Sequence, residues 1–500
     1  MTCSTRATSR LVGSIARIAC ASALVVAFCG CSDDGEEATG DIELRPFAYV
    51  VNECSETSSG WSGHRGLRIR NGEGEEIVVN EFVLHDLGPQ GALCRVYGMG
   101  RQGGAALAAG GIQRLGVSPD ASTVVFETTD DYSIFSTGTM APEEEGIFQL
   151  NADGSGLRRI GDASRNPAFR LVLPDPNAAL GVTISHSSEF RFSPNGKRIA
   201  YTDRGIGIGG VDAIQIFTID LSTGERRQVT RLPPITRQEG TDVHEVLVTG
   251  FLTDDLLTFV TDEVNQAPRA HIVRVDGDGE VVDVSLPAAL PGAAVAPEFK
   301  ITRRRAVVPL QLSGQISELF AVTFDRESGS ATAQLTDVLQ LTHFGRPDTG
   351  GGTEYSNRGK VFVTRDGTRA VFSASPEPLE TNPLRNCQLY SIDTLGGELR
   401  QLTTFVPASP LPQDYVCGLG PPPSCSLLLI AQDLPSDSVF FEGNCDPQGG
   451  GLLTTEGYFV MRADGSGIRQ IIDTRGAVTD ASGRLSVELA GPFAYPESFD

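Results

Sequence analysis

An all-β chain, folded as one ring of about seven repeated four-stranded sheets, is the architecture this sequence predicts. Three observations lead there. Glycine and proline are abundant, at 57 and 29 residues in 500, which suits many short strands joined by tight turns and disfavours long helices. One pattern recurs along most of the chain: a turn with Pro or Asp, a short apolar strand, a variable loop and a two-strand hairpin. The apolar runs within it are short, of strand length, and bounded by turn residues.

The clearest copies pair VSPDASTVVFET (117–128) with GIFQLNADGSGLRRI (146–160), FSPNGKRIAYTD (192–203) with IQIFTIDLSTGERRQVT (214–230), and VTRDGTRAVFSA (363–374) with QLYSIDTLGGELRQLT (388–403). Three others keep the order more loosely. They are 252–262 with 270–284, 302–311 with 319–336, and 434–443 with 457–472. At the N-terminal side, 46–53 and 65–79 supply a second, third and fourth strand without an obvious first. GRLSVELA (483–490) stands alone after the last unit, with Leu485, Val487 and Leu489 alternating. It is expected to close the ring as the missing strand.

Such sheets cannot bury their apolar faces singly, so they stack around an axis, and a single β-propeller is the closed solution. Seven blades are expected, with six as the alternative. SPDA, SPNG and RDG read as turns in which Pro fixes φ at the first corner and Asn, Asp or Gly tolerates the conformations of the later ones. ADGSG, STGE and DGDG provide the positive-φ residues of tight strand connections.

These repeats resemble the TolB-type, WD-like propeller family, whose consensus runs SPDG, apolar strand, variable loop, I-Y/F-V-x-D, hairpin, LT. The resemblance spans roughly residues 45–490 and implies a propeller. The α/β domain that precedes the TolB propeller has no counterpart here, and that propeller usually has six blades.

The first thirty residues carry Arg6, Arg10 and Arg17, an apolar run ending ALVVAF and no acid, as a secretory signal peptide does. Phe28-Cys29-Gly30-Cys31 resembles a bacterial lipobox, with Phe28 and Cys29 departing from the usual residues. This implies lipidation at Cys31, a polar tether over 31–44, the propeller over 45–490 and a tail over 491–500. Ser32 rather than Asp after the cysteine implies outer-membrane delivery, facing the periplasm or the cell surface. An ordinary secreted protein is the alternative.

Loss of residues 1–30 removes three arginines and no acid, deepening the formal charge from −23 to about −26. Nucleic acid is therefore excluded as a partner, since phosphates need Lys and Arg. The body has no charge that would draw it to an anionic membrane, so the membrane is expected to be reached through the lipid alone.

Catalytic motifs are missing. There is no GxSxG elbow, no HExxH and no Cys/His zinc spacing. The histidines, His64, His85, His186, His244, His271 and His343, are far apart in sequence, although distant residues converge at a propeller axis. Asp153, Asp276, Asp278 and Asp464 begin calcium-like sequences, yet the terminal Glu of an EF-hand is absent and turn chemistry explains them. No metal and no cofactor is expected. Asp130, Asp131, Glu143, Glu144 and Glu145 interrupt the repeat between second and third strands, forming a candidate binding loop, with a solvated charge run as the plainer explanation. A monomeric protein-binding or scaffolding module of the envelope is the expected function. A carbohydrate-active lyase or hydrolase with an axial His or metal site is the alternative.

After processing, six cysteines remain, Cys54, Cys94, Cys387, Cys417, Cys425 and Cys445, an even number in an oxidising compartment. The repeat places Cys54, Cys387 and Cys445 at loops between second and third strands. It places Cys94, Cys417 and Cys425 in connections between blades. Pairing is expected as Cys54 with Cys94, Cys387 with Cys417, and Cys425 with Cys445, among fifteen possible connectivities.

Overall fold

Short apolar runs bounded by turn residues form antiparallel ladders, several of them buried on both faces. The computed structural model describes residues 42, 44–57, 60–71, 74–84, 111–129, 145–165, 169–171, 182–184, 190–234, 246–261, 269–277, 279, 281–283, 294–295, 300–302, 305–311, 317–325, 334–343, 361–364, 367–375, 379, 381–384, 386–406, 427–433, 437–443, 445–449, 457–473 and 488–489. All of these fall in one compact unit, Gly40–Asp500. Among them there is no α-helix, only a one-turn 3-10 segment at Ile208–Gly210.

Sheet I contains Phe47–Thr57, Gly60–Arg70 and Glu76–Leu84, with Glu488–Leu489 on the free edge of the first of these. Val51 lies opposite Leu489 and Asn52 opposite Glu488. Sheet II runs Gly111–Val117, Thr123–Thr129, Gly146–Asn151, Arg158–Gly161, and sheet III Arg191–Phe192, Arg198–Ile206, Asp212–Asp220, Arg226–Gln228. Sheet IV has Val246–Thr253, Leu256–Thr261, Arg269–Arg274 and Val281–Asp283. Sheet V is five-stranded because its first strand is split: Ala294–Val295 and Lys300–Thr302 both pair with Arg305–Gln311, ahead of Ser317–Asp325 and Gln334–Gln340. Sheet VI comprises Phe362–Val363, Arg369–Ala374, Gln388–Asp393 and Leu399–Gln401, and sheet VII Leu427–Asp433, Ser438–Gly443, Gly457–Arg462 and Arg469–Asp473. A small hairpin, Phe169–Leu171 with Val182–Ile184, sits in the connection from sheet II to III, where the repeat predicts only a loop.

Each sheet is covered by its neighbours in chain order. Val50 and Leu67 of sheet I pack with Leu115 and Phe126 of sheet II. Val125 and Ile147 meet Tyr201 and Phe217 of sheet III, whose Ala200 and Ile216 meet Phe251 and Phe259 of sheet IV. Strands of sheets IV and V are in contact, and Val307 and Leu319 of V join Phe372 and Tyr390 of VI. Phe362 and Leu389 of VI pack on Phe441 and Phe459 of VII, while Phe440 and Val460 of VII pack on Phe47 and Tyr49 of I. Burying each such side chain contributes about 1.5–3 kcal/mol.

The SPDG-type turns have one geometry. In sheet II the Ser118 amide donates to the Thr123 carbonyl at 2.8 Å, Ala121 N to Ser118 O at 2.8 Å, and Thr123 N to Ser118 Oγ at 2.9 Å. Ser193 and Thr364 do the same in sheets III and VI, so the first residue needs a hydroxyl. The fourth position takes positive φ in all three, as Ala121 (58°), Gly196 (69°) and Gly367 (72°).

The LT motif is a clamp. In sheet VI Leu389 N donates to Thr403 Oγ1 (2.9 Å), which donates to Gln388 Oε1 (2.9 Å). That oxygen also accepts from Phe405 N at 3.0 Å, and Gln388 Nε2 donates to Phe405 O at 2.8 Å. Gln215 and Thr230 repeat the arrangement in sheet III, ending on Leu232. Sheet V uses Glu318 with Thr342. The third strand is thereby tied to the segment leaving the sheet.

The hairpin glycines also serve close packing. Gly154 has φ +82°, and a Cβ there would lie 2.9 Å from Ile77 Cγ2 of the preceding sheet.

Replacing Thr403 with Val keeps the shape but leaves the buried Leu389 amide without its acceptor. Urea unfolding should show a loss of about 1–3 kcal/mol. An unchanged midpoint would contradict the clamp.

Candidate functional site: a buried ionic junction beneath an exposed hairpin tip

Sheets II and III meet around charged groups rather than hydrocarbon alone. Arg114, on the first strand of sheet II, is fully buried. Its Nη1 donates to Glu127 Oε2 (2.7 Å) and Ser164 Oγ (2.6 Å), and Nη2 donates to the Thr202 carbonyl (3.0 Å). Its guanidinium carbon lies 5.6 Å from the Tyr201 ring centre. Glu127, also buried, accepts the Ser164 amide on its other oxygen. Buried charges persist only when paired and hydrogen-bonded, and both conditions hold here.

Asp203 continues the junction on sheet III. Its Oδ1 accepts from the amides of Arg165 (2.6 Å) and Arg204 (2.7 Å), and its Oδ2 from Arg226 Nη2 (2.5 Å). Arg226 also donates to the Tyr201 hydroxyl at 2.8 Å and lies over Phe217 at 3.7 Å. Burial, opposed by the Arg226 charge, pushes the Tyr201 hydroxyl up to about 12. It therefore stays protonated. The segment 161–165 is fixed between the two sheets.

Above this junction the hairpin of sheet III remains paired as far as Ile206 opposite Asp212. Gly207 N donates to Val211 O (2.8 Å) and Gly210 N to Gly207 O (3.2 Å), closing the tip. Gln228 grips Ile206 twice, through Oε1 from its amide (3.1 Å) and Nε2 to its carbonyl (2.7 Å), and Ile208 N reaches Leu232 O at 3.3 Å. Ile206, Ile208 and Val211 are nonetheless 66%, 62% and 48% exposed. The tip is held in a defined shape with its aliphatic side chains in water.

The connections fall into two groups. In an antiparallel order 1-2-3-4, the 1–2 and 3–4 turns share one end of the sheet, and the 2–3 loops and sheet-to-sheet connections share the other. The turn ends coincide from sheet to sheet: Asn195 N donates to Asp254 Oδ1 at 2.9 Å and Arg198 pairs with Asp276 at 2.9 Å. At the other end Thr404 N donates to Pro447 O at 2.8 Å. Turns such as 118–122, 221–225 and 394–398 occupy the first end, whereas 85–110, 130–145, 375–387, 402–426 and 444–456 connect at the second.

Most sequence-predicted site residues lie outside the described residues: Cys31, Cys94, Cys417, Cys425, Asp130, Asp131, Glu143 and Glu144. Glu145 is half-buried, immediately before the strand Gly146–Asn151. Cys54 departs from expectation. It is inside the strand Phe47–Thr57, opposite Gly63, because pairing with Gly60–Arg70 runs on to the strand's end and leaves little loop there. Cys387 directly precedes the third strand of sheet VI, and Cys445 comes just after the second strand of sheet VII. Both are buried in one apolar cluster and both are disulfide-bonded.

His271 is a core residue, stacked on Phe259 at 4.8 Å with Nε2 2.7 Å from Thr261 Oγ1. His343 is exposed, and His64 lies on the strand Gly60–Arg70. His85, His186, His244 and Asp278 are outside the described residues. Asp153 and Asp464 accept the Ser155 and Ser466 amides of their own turns, at 2.9 and 2.8 Å, and Asp276 pairs with Arg198. Among the described residues no group of three or more His, Cys, Asp or Glu is placed to hold a metal.

Sequence reasoning misses two features. Arg114 and Glu127 sit within apolar strand runs, where a charge signals burial against a partner. The tip sequence RGIGIGGVD carries aliphatic residues where the repeat calls for a polar loop.

No protein-family model and no curated protein matches the chain. Among solved structures it is similar to one from a study of two prolyl endopeptidases and the role of inter-domain dynamics, at 12% identity and TM-score 0.45, over 89% of this chain and 50% of that one. It is also similar to prolyl oligopeptidase B from Galerina marginata, at 10% identity and TM-score 0.40, over 89% and 52%. The tricorn protease gives 15% identity and TM-score 0.36, over 74% and 27%. The chain spans about half the length of the two oligopeptidase structures and less of the third.

The charged groups lend themselves to two measurements. Arg114→Leu strands Glu127 in the core and should cost about 3–5 kcal/mol in urea unfolding, whereas Arg114→Leu with Glu127→Leu should recover most of it. A double variant no more stable than the single one would contradict the pairing. The Ser222 hydroxyl, bonded to Asp220, holds that carboxyl below its usual value. Its stabilisation is present above the unfolded-state pKa and disappears as pH falls through the folded one. Asp220→Asn should therefore be less stable than the parent at neutral pH, the gap narrowing as the solution is made acid. A gap that widens on acidification would contradict this.

Proposed function

We propose that the chain is an exported, lipid-anchored β-propeller of seven blades, closed by Glu488–Leu489 on Phe47–Thr57, and that it acts as a binding or scaffolding module of the envelope. The observation that carries this reading is the contrast between the two ends of the sheets. One end has short, internally bonded turns. At the other end stop the strands that flank the long connections and the candidate acidic loop, and it holds the disulfide-bonded Cys387 and Cys445 and the hairpin tip. Loops held on a rigid scaffold are where binding surfaces are built.

The order of sheet contacts and the TolB-like repeats support the ring. Ile42 is tied to sheet VII. Its carbonyl accepts from Arg469 Nη2 at 2.9 Å, and its Cγ1 lies 3.1 Å from a Cβ built on Gly467 in a 3–4 turn. Ile42 thus lies at the turn end of the body. Ser32 favours the outer membrane, and the partner is an envelope protein met by a monomer. Cys54 with Cys94, Cys387 with Cys417 and Cys425 with Cys445 remain the proposed bridges, each worth about 2–4 kcal/mol by restricting long loops.

Growth of the producing cells with an alkyne-tagged fatty acid should label the mature protein, and Cys31→Ser should abolish both label and membrane retention. Labelling that survives the substitution would refute the anchor. Peptide mapping of unreduced protein should return the three pairs, and a Cys54 bridge to any C-terminal cysteine would refute the scheme.

A further inference from the structure

The hairpin tip of sheet III is the surface whose chemistry goes furthest, in a step that rests on the binding-module reading above. Water-exposed aliphatic side chains are common singly, but here three stand within one short tip whose backbone is held by the Gln228 and Leu232 contacts. Preorganisation of this kind lowers the entropic cost of association.

Among the described residues, exposed charge close to the tip is mostly basic. Arg165 and Arg204 share one acid, Asp212, at 3.7 and 3.4 Å, and all three side chains are largely exposed. Arg231, also exposed, is next to the Leu232 carbonyl that holds Ile208. In a chain of formal charge −23 this is a local cationic rim around an aliphatic centre. Arginine around an apolar centre suits a partner with carboxylates flanking aliphatic residues.

We infer that the tip formed by Ile206, Ile208 and Val211, with Arg165 and Arg204, is a docking surface for an acidic protein segment bearing aliphatic side chains. A second copy of this acidic chain does not meet tip to tip without opposing arginines.

The test uses the mature protein and a phage-displayed library of random dodecapeptides. Selected peptides should be enriched in Asp or Glu together with Leu, Ile or Val. Their affinity should fall at least tenfold in Ile208→Ser, fall with added salt, and be unchanged in Leu395→Ser. Leu395 is equally exposed (65%) but lies in a turn at the other end. Circular dichroism of Ile208→Ser should match the parent, since the residue is in water. Peptides that bind Ile208→Ser at full affinity would overturn the inference and leave the binding-module reading standing on another surface. Selection of basic peptides, or of none, would also overturn it. So would co-sedimentation with phosphatidylcholine–phosphatidylglycerol vesicles that Ile208→Ser abolishes, because the occupant would then be lipid. Loss of acyl labelling bears on the anchor alone and leaves this result unaffected.

Discussion

Every sheet in this chain has two apolar faces and no means of covering either by itself. That constraint governs the rest. A strand such as Arg198–Ile206 puts Ala200 against sheet IV and Tyr201 against sheet II, so consecutive residues must both be apolar where an isolated sheet would alternate with polar ones. The demand passes from sheet to sheet, and sheet VII meets it on one face by packing Phe440 and Val460 on Phe47 and Tyr49 of sheet I. Removing a sheet would expose hydrocarbon on both neighbours.

Hydrocarbon stacking sets distance but not lateral position, and polar groups supply the latter. The Gln388–Thr403 clamp fixes where the chain leaves sheet VI, and its counterpart Gln215–Thr230 does so in sheet III. Between sheets II and III the role passes to ions: Arg114 reaches Glu127, Ser164 and Thr202 from one buried position. An interface so specified leaves Arg165 and Arg204 in place at the surface, because their amides bind the same Asp203 carboxylate. The exposed tip inherits its geometry from the buried network.

The repeats are legible in the sequence because their signals are local. Ser118, Ser193 and Thr364 each bond within their own six-residue turn, and LT bonds to its own sheet, so the same letters recur wherever the geometry does. Arg114 is not legible, since its partners come from a strand, a connection and the next sheet, and no spacing records that meeting. The placement of Cys54 fails for a related reason: how far two strands stay paired depends on side chains across the ladder, not on the cysteine's neighbours. The tip is hidden by its composition, because Ile206, Ile208 and Val211 read as strand interior until the surrounding structure is seen to leave them in water.

Glu488–Leu489 and Phe47–Thr57 share an edge although more than four hundred residues separate them. Until that partner arrives, the edge of Phe47–Thr57 has no strand beside it. Bare edges invite pairing with other chains, and a contact so distant in sequence forms slowly. Pairing at this edge therefore forms late, and until it does Phe47–Thr57 is open to another strand.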